Sequence, residues 1–343
     1  MKLHAKPWVR FTVRVAAAAV VGLVVAGMVY EKIGERQDRV RYPQIGRSVD
    51  VGGRSLNIYC SGKGDPAVVF EAPGHTAGYT WIDIQTEIAK FTRACWYDRA
   101  GYGWSDPGPS PRTFDAIAKD LHVLLQAAAV PAPYVLVGGA GNGSFHVRVY
   151  NGLYPSEVAG VVLVDASDPD VFAHELKYMK GALSSLPPWA RRAGCAVVFP
   201  AMVRVGLLRL LGNPGVGRPV GLAELHQGQQ QELYFLSTNP SISLTEGEAC
   251  REEESVAEVR AAGDFGTRPL VVLEGAEPEH APSPEYEKAT EAFNDYWFHQ
   301  LLPRLAALST RGRLVLAADA TAPETVVAAV RNVVTKVRAE QQK

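Results

Sequence analysis

From residue 46 to 170 the chain alternates short β-branched runs with longer segments of helical period, and no other feature constrains its fold as much. Arg47–Val51 and Leu56–Cys60 flank Gly52-Gly53, a turn pair that joins two strands into a hairpin. Ala67–Glu71, Ala94–Tyr97, Tyr134–Val137 and Val158–Val164 read as buried strands. Thr80–Phe91, Phe114–Ala128 and Phe145–Leu153 lie between them with helical spacing. In the second of these, Ile117, Leu121, Leu124 and Leu125 mark the apolar face, and Pro131 and Pro133 stop the helix. The alternation returns at the end of the chain. Leu270–Leu273 and Arg313–Ala317 read as strands, Glu285–Leu308 as mostly helical, and Pro323–Arg338 as a closing helix with Pro near its start. Strands separated by helices pack as a mostly parallel sheet with helices on both faces. An eight-stranded α/β fold is therefore expected.

Residues 171–262 break the pattern. They show no clear strand and hold Pro187-Pro188, an apolar stretch Ala196–Leu211 and an acidic helix-like segment around Glu252–Val259. This region is expected to be a helical cap inserted after strand six, with 46–170 and 263–343 forming the core. Arg204 and Arg209 interrupt the apolar stretch, so it is expected to pack over a pocket and not to span a membrane.

Residues 1–14 carry Lys2, Lys6, Arg10 and Arg14 without one acid, and the unbroken apolar run Val15–Tyr30 follows. A spanning helix needs roughly 20 apolar residues, with about 17 the lower edge. Arg14 and Lys32 extend the run by snorkelling. A cleaved signal peptide shares this layout, and so, more weakly, does a core helix. The lack of a small-x-small cleavage pattern before Glu31 favours an uncleaved transmembrane signal anchor over 15–30, followed by a polar linker over 31–45. Lys32, Arg36, Arg39 and Arg41 put basic charge beyond the run as well. The reading is a membrane-anchored protein with its globular domain outside the cytoplasm.

The net charge of −1 gives no nucleic-acid footprint. Cys60, Cys95, Cys195 and Cys250 make an even number, which fits an oxidising compartment and equally four buried thiols. None stands at zinc spacing, and no cofactor or metal is indicated.

Several segments together resemble the α/β-hydrolase superfamily. They are Tyr42-Pro43, Val49-Asp50-Val51-Gly52-Gly53, Cys60-Ser61-Gly62, Val68-Val69-Phe70-Glu71, the run from Tyr97 through Asp98 to Ser105, Tyr134–Gly138 and Val161–Ser167. More narrowly, they resemble bacterial hydrolases with an N-terminal membrane anchor. The resemblance implies an α/β-hydrolase fold in which strands two and four are neighbours. A Cys60–Cys95 disulfide follows from that implied sheet order, which leaves Cys195–Cys250 as a second pair within the cap.

The resemblance also locates the chemistry. In the family a G-x-S-x-G elbow between strand and helix lifts a serine nucleophile above the sheet. Carried onto Gly138-Gly139-Ala140-Gly141-Asn142-Gly143, it places the nucleophile at Ala140, with Gly138 as the first glycine, Asn142 in place of the second and Gly143 as a further one. A methyl group cannot attack a carbonyl. Ser144, the nearest hydroxyl, is expected in the first helical turn as a hydrogen-bonding group. The family's general base follows the last strand, where this chain has Thr321 and no histidine. Asp165, Asp168, Glu274 and Glu277 are candidates for the acid. Gly141 and the Gly74-His75 loop correspond to the oxyanion donors, and His75 is a candidate ligand contact. His280 and His299 are expected on the surface, and Ser105 in a structural role.

Losing the serine or the histidine of such a triad costs on the order of 10⁶ in kcat. The leading expectation is a pseudo-hydrolase, anchored in a membrane, that binds an apolar small molecule, a lipid or a protein partner. A non-serine catalyst (a lyase, or a cofactor-free reaction using His75) and a hydrolase with a displaced nucleophile at Ser144 or Ser105 are the alternatives.

Overall fold

A computed structural model describes residues 7–74, 76–109, 111–170, 187–211, 248–276 and 293–342. The sheet has eight strands: β1 (Arg47–Asp50), β2 (Ser55–Ser61), β3 (Val68–Glu71), β4 (Ala94–Tyr97), β5 (Tyr134–Gly138), β6 (Val158–Val164), β7 (Leu270–Gly275) and β8 (Gly312–Ala317). Their order is β1-β2-β4-β3-β5-β6-β7-β8. The β1–β2 and β2–β4 pairs are antiparallel and all the others parallel.

The strands read as continuous apolar runs because both faces of the sheet are covered. Successive side chains alternate between two cores. Val69, Cys95, Tyr97, Leu136, Leu163 and Val272 face one side, beneath α3 (Phe114–Ala127) and α4 (Asn142–Leu153). Val68, Phe70, Trp96, Val137, Val162 and Leu273 face the other. There they meet α2 (Ile82–Ile88), whose polypeptide enters through a short 3₁₀ turn at Gly78–Trp81. Helix α10 (Pro323–Gln341) covers the same face and buries Val326, Val330, Val333, Val334 and Val337 at helical spacing. The carboxyl ends of the parallel strands form one edge, where the loops converge.

Cys60 and Cys95 are paired residues across β2 and β4, and they form a disulfide with Cα atoms 4.1 Å apart. The expected cross-link is therefore present. The side chains of Cys195 and Cys250 lie outside the described residues.

Between β6 and β7 the described residues form no strand. They fold into α5 (Pro188–Ala193), a π-helical turn (Gly194–Val198), α6 (Phe199–Arg204), α7 (Leu207–Leu210) and α8 (Glu248–Ala261). A last helical stretch before β8 includes α9 (Leu302–Ala306).

The N-terminal helix α1 runs from Pro7 to Arg41. Residues 31–41, read from sequence as linker, are thus helical. Two contacts account for the extension. Lys32 pairs with Glu35 one turn on, at 2.6 Å. Arg209 of the inserted region donates to Glu31 at 3.1 Å and to Asp38 at 2.8 Å, which explains why those acids are buried. From Phe11 onward α1 is long and apolar enough to cross a membrane, by length and composition, and its apolar window is not buried by the rest of the chain.

Candidate functional site

Strand β5 ends at Gly138, and α4 begins at Asn142, so only Gly139, Ala140 and Gly141 make the turn. The apex is Gly141, with φ +64° and ψ −122°, a region that residues other than glycine rarely enter. This corrects the register expected from sequence by one position. Gly139 and Gly143 now flank the apex. Neither has room for a side chain: a Cβ on Gly139 would meet Pro73 Cδ at 2.7 Å, and one on Gly143 would meet Ala72 O at 2.6 Å. The G-x-X-x-G pattern is therefore intact as Gly139-Ala140-Gly141-Asn142-Gly143, and its raised residue is a glycine. Asn142, read as a lost glycine, is instead the residue after the apex and the first of α4. The backbone donor that follows the raised residue moves with the register, from Gly141 to Asn142.

Ser144 is fully buried. Its hydroxyl donates to Gly141 O at 2.7 Å and accepts from Ser167 N at 3.2 Å, so it braces the turn against the start of the insertion. Ser105 donates to Asp98 O at 2.6 Å and accepts from Asn57 N at 2.8 Å, also buried. Neither hydroxyl is presented for attack. Gly74 spends its N–H on Ala140 O at 3.0 Å, so the donor expected from it is already engaged. His75, Glu277 and His280 lie outside the described residues.

Thr321 follows β8 and returns to the elbow. It lines a cavity of about 170 Å³ with Ala140, Gly139, Pro73, Thr80, Trp81, Ile84 and Val164. No imidazole or carboxylate of the described residues faces this cavity. Thr321 donates its hydroxyl to Asp319 at 2.7 Å, a local turn contact. His299 pairs with Asp295 at 3.3 Å on the surface. Asp168 is buried against Arg304, 2.7 Å away, in an ion pair that does not involve the elbow.

The other two acid candidates come together. Asp165 follows β6 in a left-handed conformation, φ +51°, and Glu274 is buried near the end of the neighbouring strand β7. Burial first, and then the charge of Asp165 and a carboxyl–carboxyl hydrogen bond with it, push the Glu274 carboxyl up to about 8. Ionised, Glu274 would keep Oε2 buried without a donor. A proton on the carboxyl would give that atom a donor of its own, with Asp165 beside it. Gly141 bridges to Ala166, the next residue, so this carboxyl pair stands beside the elbow.

Residues 72–193 match the family model of the α/β hydrolase fold. The structure also superposes on a thermophilic esterase from Thermogutta terrifontis with a TM-score of 0.52 at 20% identity, covering 86% of this chain and 99% of that one. The chain has the α/β-hydrolase fold. Among curated relatives, an uncharacterized vacuolar membrane protein of Saccharomyces cerevisiae (strain YJM789) is 32% identical over 136 residues, which are 38% of this chain and 20% of that protein. The uncharacterized protein YbdG of Bacillus subtilis (strain 168) is 26% identical over 161 residues, 46% of this chain and 49% of that one. The chain thus spans between a fifth and a half of these relatives' lengths. Yeast and bacterial proteins both appear, so the likeness does not single out bacteria.

One cluster of this hydrolase-fold site was missed from sequence. Glu71, the last residue of β3, accepts from Arg99 Nη1 at 2.8 Å, from the Tyr97 hydroxyl, and pairs with His146 Nδ1 at 3.0 Å. All four residues are buried. Burial would raise the Glu71 carboxyl, but the charge and hydrogen bond of His146, then Arg99 and Tyr97, hold it below the usual value. Arg99 also donates to Ala72 O at 3.0 Å, Pro73 O at 3.2 Å and Thr76 O at 3.0 Å. Gly139 N donates to Glu71 O at 3.1 Å. The cluster thus ties the loop after β3 to the elbow. Glu71 and Arg99 both stood within the family-like segments, which was the available signal; His146, a lone histidine on a helix, gave none.

Proposed function

We propose that this protein is a membrane-anchored pseudo-hydrolase, whose site beside the elbow binds an apolar small molecule, a lipid or a protein partner. One observation carries the reading: the residue raised by the elbow is Gly141, which has no nucleophile to raise. The base position points the same way, since Thr321 closes the adjoining cavity against Pro73, Trp81, Ile84 and Val164. The length and apolarity of α1 and the likeness to a yeast vacuolar membrane protein support membrane attachment through residues 15–30. An extracytoplasmic globular domain is part of the proposal, in keeping with the Cys60–Cys95 disulfide. Exposure of the purified full chain to a fluorophosphonate probe tests the loss of serine chemistry. No covalent adduct is expected by intact-mass measurement, and a stoichiometric adduct would overturn the reading.

The carboxyl pair favours a second reading, a catalyst that uses no serine. Glu274, its carboxyl pushed up to about 8, keeps a proton at neutral pH beside the second carboxyl, Asp165, at one strand edge. Any turnover discovered for the protein should fall when Glu274→Gln removes the exchangeable proton. Unchanged turnover in that variant would dismiss the pair as catalytic.

A further inference from the structure

Residues 187–211 contain Trp189, four arginines (Arg191, Arg192, Arg204 and Arg209) and no acidic residue. Trp189, Val197, Val198, Leu210 and Leu211 are each more than half exposed in the fold. Exposed large apolar side chains among basic ones, without acids, are the signature of a segment that lies in a membrane interface. Its position agrees. Helix α6 packs on α1, and the turn that follows it reaches Gly27, where an added Cβ would meet Val205 O at 2.3 Å. A Cβ added on Gly206 would meet Tyr30 Cδ1 at 2.9 Å and Gly27 O at 3.1 Å.

Gly27 lies three residues inside the apolar run that ends at Tyr30. At 1.5 Å per residue the turn at Val205-Gly206 therefore reaches about 4–5 Å below the end of that run. Arg209 then rises along α1 and closes on Glu31 and Asp38, which lie beyond the run. Exposed Lys32 and Arg36 of α1 and exposed Arg204 add basic charge at the same level. Basic residues at this level are attracted to an anionic lipid surface.

We propose that the segment 188–211 is a second membrane contact, seated in the anionic interface of the bilayer that α1 crosses. The docking partner is the lipid surface itself. The inserted region is thereby held at the membrane by the Arg209 clasp on one side and by its exposed apolar residues on the other. This proposal rests on α1 lying in a bilayer.

The test uses the full chain in nanodiscs made of equal parts phosphatidylcholine and phosphatidylglycerol, with bromine on the acyl chains as a contact quencher of tryptophan. Trp189→Phe, a surface change that should leave the fold intact, is expected to remove a quenched component of the emission. Trp8, exposed on α1, remains as the internal control. Quenching that is equal in wild type and Trp189→Phe, with Trp8 still quenched, would overturn the interface proposal alone. Loss of quenching at Trp8 as well would overturn the α1 reading with it. A second measurement separates lipid from protein. Amide exchange over 188–211 should be slower in anionic discs than in phosphatidylcholine discs, and Arg191→Gln/Arg192→Gln should reduce that difference. Protection that depends on protein concentration and not on lipid charge would instead point to a second copy of the chain and refute the proposal.

Discussion

Glu71 and Glu274 are the same residue at the same edge of the sheet, and they ionise in opposite directions. Each lies near the carboxyl end of a buried strand, β3 for one and β7 for the other. Burial pushes both carboxyls up. Glu71 is then pulled below the usual glutamate range by His146, Arg99 and Tyr97, whereas Glu274 faces Asp165 and rises further, to about 8. The neighbour, and not the depth, decides the charge state. Glu71 is a fixed anion that ties together the loop after β3 and the elbow. Glu274 is a carboxyl that keeps its proton up to about 8, beside a second acid. The first is spent on structure, which leaves the second as the chemically available group of the pair.

Breaking the first half of this contrast should give the largest effect. Glu71→Gln leaves the buried Arg99 guanidinium without its counter-charge, and removing one partner of a buried pair costs about 3–5 kcal/mol. Urea unfolding should show a loss of that size, and a loss under 1 kcal/mol would mean that Arg99 is held by its three carbonyl contacts alone. Acidification probes the same group without mutation. Its folded pKa is depressed, so its contribution is complete above the unfolded value near 4.5 and disappears as pH falls through the lower folded value. Wild type should therefore lose stability below about pH 4 more steeply than Glu71→Gln does.

The second half predicts a smaller effect of opposite sign. Below pH 4.5 Glu274 is protonated whether the chain is folded or unfolded, and it contributes nothing. Between 4.5 and about 8 only the folded state keeps the proton, so stability falls as pH rises through this window and levels off above it. Glu274→Gln mimics the protonated form. It should match wild type near pH 4 and be more stable by about 2 kcal/mol at pH 9, less than the full shift because solvent at the strand edge screens the pair. A difference that does not change with pH would mean that the two carboxyls do not share a proton.

Neither carboxyl environment was legible in the sequence, although most of the fold was. The strand limits follow apolar runs such as Ala94–Tyr97 and Val158–Val164 because a sheet covered on both faces needs them unbroken. The pairing of Glu274 with Asp165 depends on where two side chains point at adjacent strand ends, which no periodicity encodes. Likewise the polar stretch after Tyr30 looks like a linker until Arg209, 171 residues from Asp38 along the chain, supplies the partner for its buried acids. The sequence locates the elbow but leaves its register open. Among Gly138, Gly139, Gly141 and Gly143 the spacing admits two frames, and only backbone torsion separates them.

That register sets the last and smallest prediction. At Gly141 a side chain must accept φ +64°, ψ −122°, and such strain costs roughly 1–3 kcal/mol. Gly141→Ser should lie at the low end of this range, because the flanking glycines and Ser144 already hold the turn. Ala140 has no positive φ, so Ala140→Ser should stay within about 0.5 kcal/mol of wild type. Urea unfolding of the two variants decides between the frames, and the reverse ranking would return the apex to Ala140. Combining each with Thr321→His adds a chemical readout, because a raised serine needs a base within hydrogen-bond reach before it attacks a fluorophosphonate. Gly141→Ser/Thr321→His should acquire labelling that Ala140→Ser/Thr321→His does not, since only the first places its hydroxyl where the backbone turn lifts it above the sheet.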